Sequence, residues 1–92
     1  MEKTIAKIAE RVLGYYFDAE DVEIRDGKNG KFAHIYTCVK AYGNGWTAYF
    51  DSSDPYYGEP GLRTIKKGSE LSAEIMRKYP AITRVIIQIE GD

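Results

Sequence analysis

Val22-Glu23-Ile24-Arg25-Asp26-Gly27-Lys28-Asn29-Gly30-Lys31-Phe32-Ala33-His34-Ile35-Tyr36-Thr37 is the stretch on which the fold turns. Apolar and polar residues alternate on both sides of Asn29-Gly30, and a period of two marks a strand with one buried face. Asn-Gly supplies the two positive-φ positions of a type I′ turn, the strongest short-range hairpin signal. A two-residue loop at Asn29-Gly30 sets Ile24 opposite Ile35 and Val22 opposite Thr37. A second dipeptide, Asn44-Gly45, read the same way, sets Ala41 opposite Ala48 and Val39 opposite Phe50. Both registers put Ala33, Ile35, Val39, Ala41, Trp46, Ala48 and Phe50 on one face. A slip of one residue would send Thr47, Tyr49 and Asp51 there instead. The expectation is a three-stranded meander over 21–26, 31–42 and 46–52.

Upstream, Ile5, Ile8, Ala9, Val12, Leu13 and Tyr16 recur at helical spacing, with Lys3, Lys7, Glu10 and Arg11 on the other side. Thr4 is the expected N-cap, and the helix should fray near Tyr16 or Phe17. Downstream, Asp51 to Gly68 is a long connection with an expected short edge strand at 62–65. Ser69 then caps a second helix that carries Leu71, Ile75, Met76 and Tyr79 inward and stops at Pro80. Thr83 to Glu90 reads as a final strand. The expected fold is one α+β domain over 1–92, in the order α-β-β-β-α-β, with two helices packed on one face of an antiparallel sheet.

Composition narrows the function. The 92 residues hold 13 basic and 14 acidic side chains, one histidine and one cysteine, for a formal net charge of −1. A single cysteine excludes an internal disulfide framework and an all-cysteine zinc site. A near-balanced charge argues against a general polyanion binder. No apolar run reaches the roughly 20 residues of a membrane span. Met1-Glu2-Lys3-Thr4 leads into an amphipathic segment, so the expected location is the cytoplasm.

Catalytic constellations are weak. His34 and Cys38 are four residues apart on a strand, about 13 Å, beyond the reach of a nucleophile and its base. Cys38 is expected to face Asp51. Asp51-Ser52-Ser53-Asp54 lacks the spacing of a calcium loop and reads as a strand end before a turn. No catalytic residue, metal or cofactor is expected.

The sheet face away from the helices is more informative. Alternation places Glu23, Arg25, Phe32, His34, Tyr36, Cys38, Lys40, Tyr42, Thr47, Tyr49, Asp51, Arg84, Ile86 and Gln88 there, open or covered only by the 51–68 loop. Tyrosine and arginine dominate interface hot spots. Arg25, His34, Tyr36, Tyr42 and Tyr49, with Tyr56 and Tyr57 in the loop, are the expected partner-contact residues. The leading expectation is therefore a small non-enzymatic protein-binding module. Its size and composition match phage or mobile-element inhibitors of host defence, the anti-CRISPR type among them. A homodimer formed through the same face would bury Phe32 and Ile86.

The alternative is nucleic-acid or nucleotide binding, with Lys28, Lys31, Lys66 and Lys67 as phosphate contacts and aromatics for stacking. Lys66 and Lys67 stand at a helix start, where backbone N–H groups favour anions. The order α-β-β-β-α over roughly residues 4–79 resembles that of double-stranded RNA-binding domains. The resemblance implies shape recognition of RNA, with Lys28 and Lys31 beside the first strand loop and Lys66 and Lys67 opening the second helix. Glu70 and Glu74 stand where more basic residues would help, and a further strand follows. The likeness is one of element order, not of motif.

Overall fold

The computed structural model describes residues 1–54 and 59–91. Strands β1 (Val22–Gly27) and β2 (Gly30–Cys38) form the expected antiparallel hairpin. Its turn is Lys28-Asn29, so Val22 faces Ile35 and Ile24 faces Ala33. The register differs from the expected one by two residues, an even number, and every side chain keeps its face. Gly30 has φ +129°, and a Cβ there would lie 2.9 Å from the Thr83 methyl group. The turn therefore requires glycine at this position and sits tightly on the start of the last strand.

The second Asn-Gly does not make a hairpin. Val39–Tyr42 is a single helical turn, α2, and Trp46–Tyr49 is a 3₁₀ turn entered through Gly45 at φ 80°. An isolated bridge, Phe50 to Ile65, is the strand pairing that the expected third strand retains. Tertiary packing accounts for the change. Trp46 is buried between Tyr15 and Phe17, and its indole N–H donates to the Leu13 carbonyl at 2.9 Å. That carbonyl belongs to the last turn of α1 (Glu2–Leu13), where helix carbonyls lack internal partners. Ala41 is fully buried, whereas Val39 and Ala48, expected in the core, are exposed.

The strand beside β2 is β4 (Ile82–Glu90), which runs parallel to it from Phe32 opposite Arg84 to Cys38 opposite Glu90. The short β3 (Leu62–Thr64), expected as an edge strand, pairs antiparallel with the far side of β4. The sheet order is β1-β2-β4-β3. The α+β class and its single layer of helices hold, but the sheet is mixed rather than antiparallel. The resemblance to RNA-binding domains loses its meander with that change.

Helices α1 and α3 (Glu70–Lys78) close one sheet face. Ile5, Ala9, Leu13, Leu71 and Ile75 pack there against Ala33, Ile35, Val85, Ile87 and Ile89. Ser69 caps α3 as expected, accepting from the Ser72 amide. Helix α1 starts at Glu2 with Met1 as N-cap, so Thr4 lies inside it. It ends at Leu13, where Gly14 adopts the left-handed conformation that favours glycine. Tyr16, expected on the buried helix face, follows that end and is 65% exposed, while Phe17 turns into the core. Among the described residues, no helix is long and apolar enough to cross a membrane.

Candidate functional site

On the other sheet face the register sets three rows. Glu23, His34, Ile86 and Thr64 lie abreast, flanked by Arg25, Phe32 and Arg84 on one side and by Tyr36, Gln88 and Leu62 on the other. The face is not open. Ile86 and His34 are 1% and 4% exposed, and Leu62 and Thr64 are also buried. The described ends of the 51–61 connection reach it. Asp54 accepts from Arg84 Nη2 at 2.7 Å, and Glu59 lines a cleft of about 480 Å³ with Arg25, His34, Tyr36 and Gln88. Ile86 is buried within one chain, so a dimer that needed it exposed loses that driving force.

A continuous polar row crosses the face. The His34 ring stacks on Tyr36 at 4.4 Å with planes 7° apart. His34 Nε2 lies 2.8 Å from Gln88 Oε1, the Tyr36 hydroxyl donates to Glu23 at 3.3 Å, and Arg25 Nε pairs with Glu23 at 2.8 Å. Facing a carbonyl oxygen, Nε2 carries the proton, which leaves Nδ1 as a bare acceptor. Nδ1 is buried and has no partner among the described residues. Burial pushes the His34 pKa down, the Gln88 bond opposes this, and nearby Arg25 adds to it. Burial and the Glu23 carboxylate raise the Tyr36 pKa. Arg25 and Tyr36 are thus held in place by contacts within the chain.

Three of the expected contact residues, Arg25, His34 and Tyr36, come together in this row. Tyr42 and Tyr49 do not, because the chain that carries them is helical. Tyr42 is half-buried on the helix side, stacked on Phe50 and 5.9 Å from the Arg63 guanidinium. Tyr49 also packs against the main core. Tyr56 and Tyr57 lie outside the described residues. Lys40 sits in α2, away from the sheet face. Alternation alone puts Glu23 and Gln88 on this face, yet only the register shows that they bridge its aromatic centre to β1 and β4. Glu59 carries no sequence signal.

Cys38 faces Tyr15 rather than Asp51. Its sulfur lies 3.4 Å from the Tyr15 hydroxyl. That contact and the Ala41 backbone amide lower the thiol pKa. No group of three or more His, Cys, Asp and Glu among the described residues is placed to hold a metal ion.

A second cleft, of about 640 Å³, opens beside the β1–β2 turn. Lys28, Lys66, Lys67 and Arg84 line it together with Asp51. Lys31, expected with the other lysines, instead pairs with Asp26 at 2.7 Å and lowers that carboxyl's pKa. The Ser69 hydroxyl donates to the Lys66 carbonyl at 2.7 Å, and Ser69 does not line the cleft. No family model, no curated protein and no solved structure matches the chain.

Proposed function

We propose that this chain is a small non-enzymatic domain that binds another protein through Arg25 and Tyr36 of the row Arg25-Glu23-Tyr36-His34-Gln88, with His34, buried rather than exposed as expected, supporting Tyr36 from beneath the contact. The observation that carries the reading is the row itself. A tyrosine and an arginine are held by a stack and hydrogen bonds on the sheet face opposite α1 and α3. Such anchors bury large area with a polar handle, and holding them in advance reduces the ordering cost of association. Restraint of the arginine by Glu23 leaves further guanidinium N–H groups to meet an acceptor on a partner. The size and composition of the domain suit an inhibitor carried by a phage or mobile element, and the proposed partner is then a host protein.

The test is affinity capture from host-cell lysate with four immobilised forms. These are the native chain, Arg25→Ala/Tyr36→Ala, Lys66→Ala/Lys67→Ala and Lys3→Ala/Lys7→Ala. A protein retained by the native chain should be depleted about tenfold or more by the first pair. The two lysine pairs should retain it fully. Retention that survives Arg25→Ala/Tyr36→Ala, with the fold intact by circular dichroism, overturns the reading.

A further inference from the structure

Lys28 lies in the β1–β2 turn and Lys66-Lys67 in the connection from β3 to α3, yet the fold brings them to one cleft. The turn is fixed there by contacts with the start of β4. The Lys31 amide donates to the Ala81 carbonyl at 3.0 Å, and the Thr83 hydroxyl donates to the Lys31 carbonyl at 3.3 Å. Gly30 allows this approach, as a Cβ at this position would collide with Thr83. The opposite wall is set by the Lys66 amide, which donates to the Tyr49 carbonyl at 2.8 Å. Both lysine-bearing walls are therefore held by main-chain hydrogen bonds.

The charge of the cleft is opposite to that of the chain. Four cations face one lining carboxylate, within a molecule of formal net charge −1. Arg84 is oriented by Asp54 and by the Thr64 hydroxyl, at 2.7 and 3.2 Å. Asp51 is turned toward Ser53, whose amide and hydroxyl both donate to it. Those donors, helped by Lys66 and Arg84, hold its carboxyl below the usual range. Lys28, Lys66 and Lys67 make no ion pair among the described residues. Three lysines without an ion pair, lining one cleft with a single carboxylate, suit a ligand with more than one negative charge.

We propose that this cleft binds a small phosphorylated ligand of about the size of a nucleoside diphosphate. Its volume lies within the range of small-molecule sites, roughly 300–1,000 Å³. A phosphoryl group supplies the multiple charge and the acceptor oxygens that lysines recognise. An extended polyanion is disfavoured because Asp26 neutralises Lys31 beside the turn and Asp54 neutralises Arg84, which interrupts any basic stripe. This site is independent of the protein-binding row.

Titration calorimetry at low salt with pyrophosphate, adenosine diphosphate and a single-stranded oligonucleotide tests the assignment. Pyrophosphate or adenosine diphosphate should bind, and Lys66→Ala/Lys67→Ala should weaken that binding about tenfold or more. Lys3→Ala/Lys7→Ala and Arg25→Ala/Tyr36→Ala should leave the affinity within about twofold. Equal affinity for the two small probes assigns recognition to the phosphoryl groups alone. Tighter adenosine diphosphate binding adds a contact to the nucleoside. The proposal is overturned if neither small probe binds at millimolar concentration, if binding is indifferent to the Lys66/Lys67 change, or if only the oligonucleotide binds. The altered lysines are exposed, and a thermal melt matching the native chain confirms that the variant is folded.

Discussion

The polar row on the sheet face and the lysine cleft beside the hairpin turn are neighbours built in different ways. The row stands on regular strands, and each member is placed by alternation and cross-strand register. Arg25 is paired with Glu23 and His34 Nε2 with Gln88, and His34 Nδ1 alone in the row is buried without a partner among the described residues. The cleft stands on a turn and a connection, and its lysines are unpaired among the described residues. Paired, stacked groups gain rigidity at the expense of free charge, which suits a shape-complementary partner. Unpaired cations converge at an electrostatic cost that an anionic ligand removes. If both proposals hold, the same small domain offers two surfaces with different selection rules, one geometric and one electrostatic.

The largest effect should come from Ile86, buried abreast of His34 on the row's own face. Ile86→Ala should destabilise the chain by about 2–5 kcal/mol, as Ile87→Ala should on the helix side. Urea unfolding of the two variants measures this. A cost for Ile86→Ala of under about 1 kcal/mol would return that face to solvent and dissolve the contrast. Gly30→Ala comes next. It forces a side chain into a positive-φ position against Thr83 and should cost about 1–3 kcal/mol. The same change should weaken pyrophosphate binding, because Lys28 sits in the displaced turn, while contacts made by Arg25 and Tyr36 survive.

A pH series then sharpens the comparison. His34 has a depressed pKa in the folded chain, so the unfolded chain binds more protons. Its contribution to stability is complete above the ordinary histidine value of about 6.5 and falls as the pH drops from there toward the native value. The charged groups facing it are Arg25 and Glu23 on β1 and Glu59 in the connection. His34→Leu should flatten that part of the unfolding profile, and an unchanged slope would remove His34 as its source. The smallest effect is expected from Tyr36→Phe. Its hydroxyl bond to Glu23 is exposed, and the loss should stay within about 0.5 kcal/mol by thermal melt. Partner retention in the capture experiment should fall more than stability does.

The two Asn-Gly dipeptides show how much was legible. At Asn29-Gly30 the flanking alternation was long enough to define a buried face, and the hairpin formed with its faces as expected. At Asn44-Gly45 the local signal was the same, but burial of Trp46 beneath the end of α1 outweighed it. Tyr42 and Tyr49 left the sheet face with that change. The run Val85-Ile86-Ile87, together with Ile89, carries the mark of a strand buried on both faces, and hence of a central position beside β2. Alternation alone turned Ile86 outward, where it is in fact covered. Lys28, Lys66 and Lys67 were legible as basic residues, but their convergence depends on how the hairpin turn packs on β4.

Local signals in the chain account for the two long helices, the hairpin with its faces, the edge strand, the capping serine and the near-balanced charge. These rest on periodicity, turn chemistry and composition, which act over a few residues. Long-range packing alone set β4 parallel beside β2, made the second Asn-Gly region helical, and gathered three lysines into one cleft. Those outcomes follow from which apolar surfaces bury one another between positions as far apart as Leu13 and Trp46 or Ala33 and Val85, and no local spacing encodes that competition.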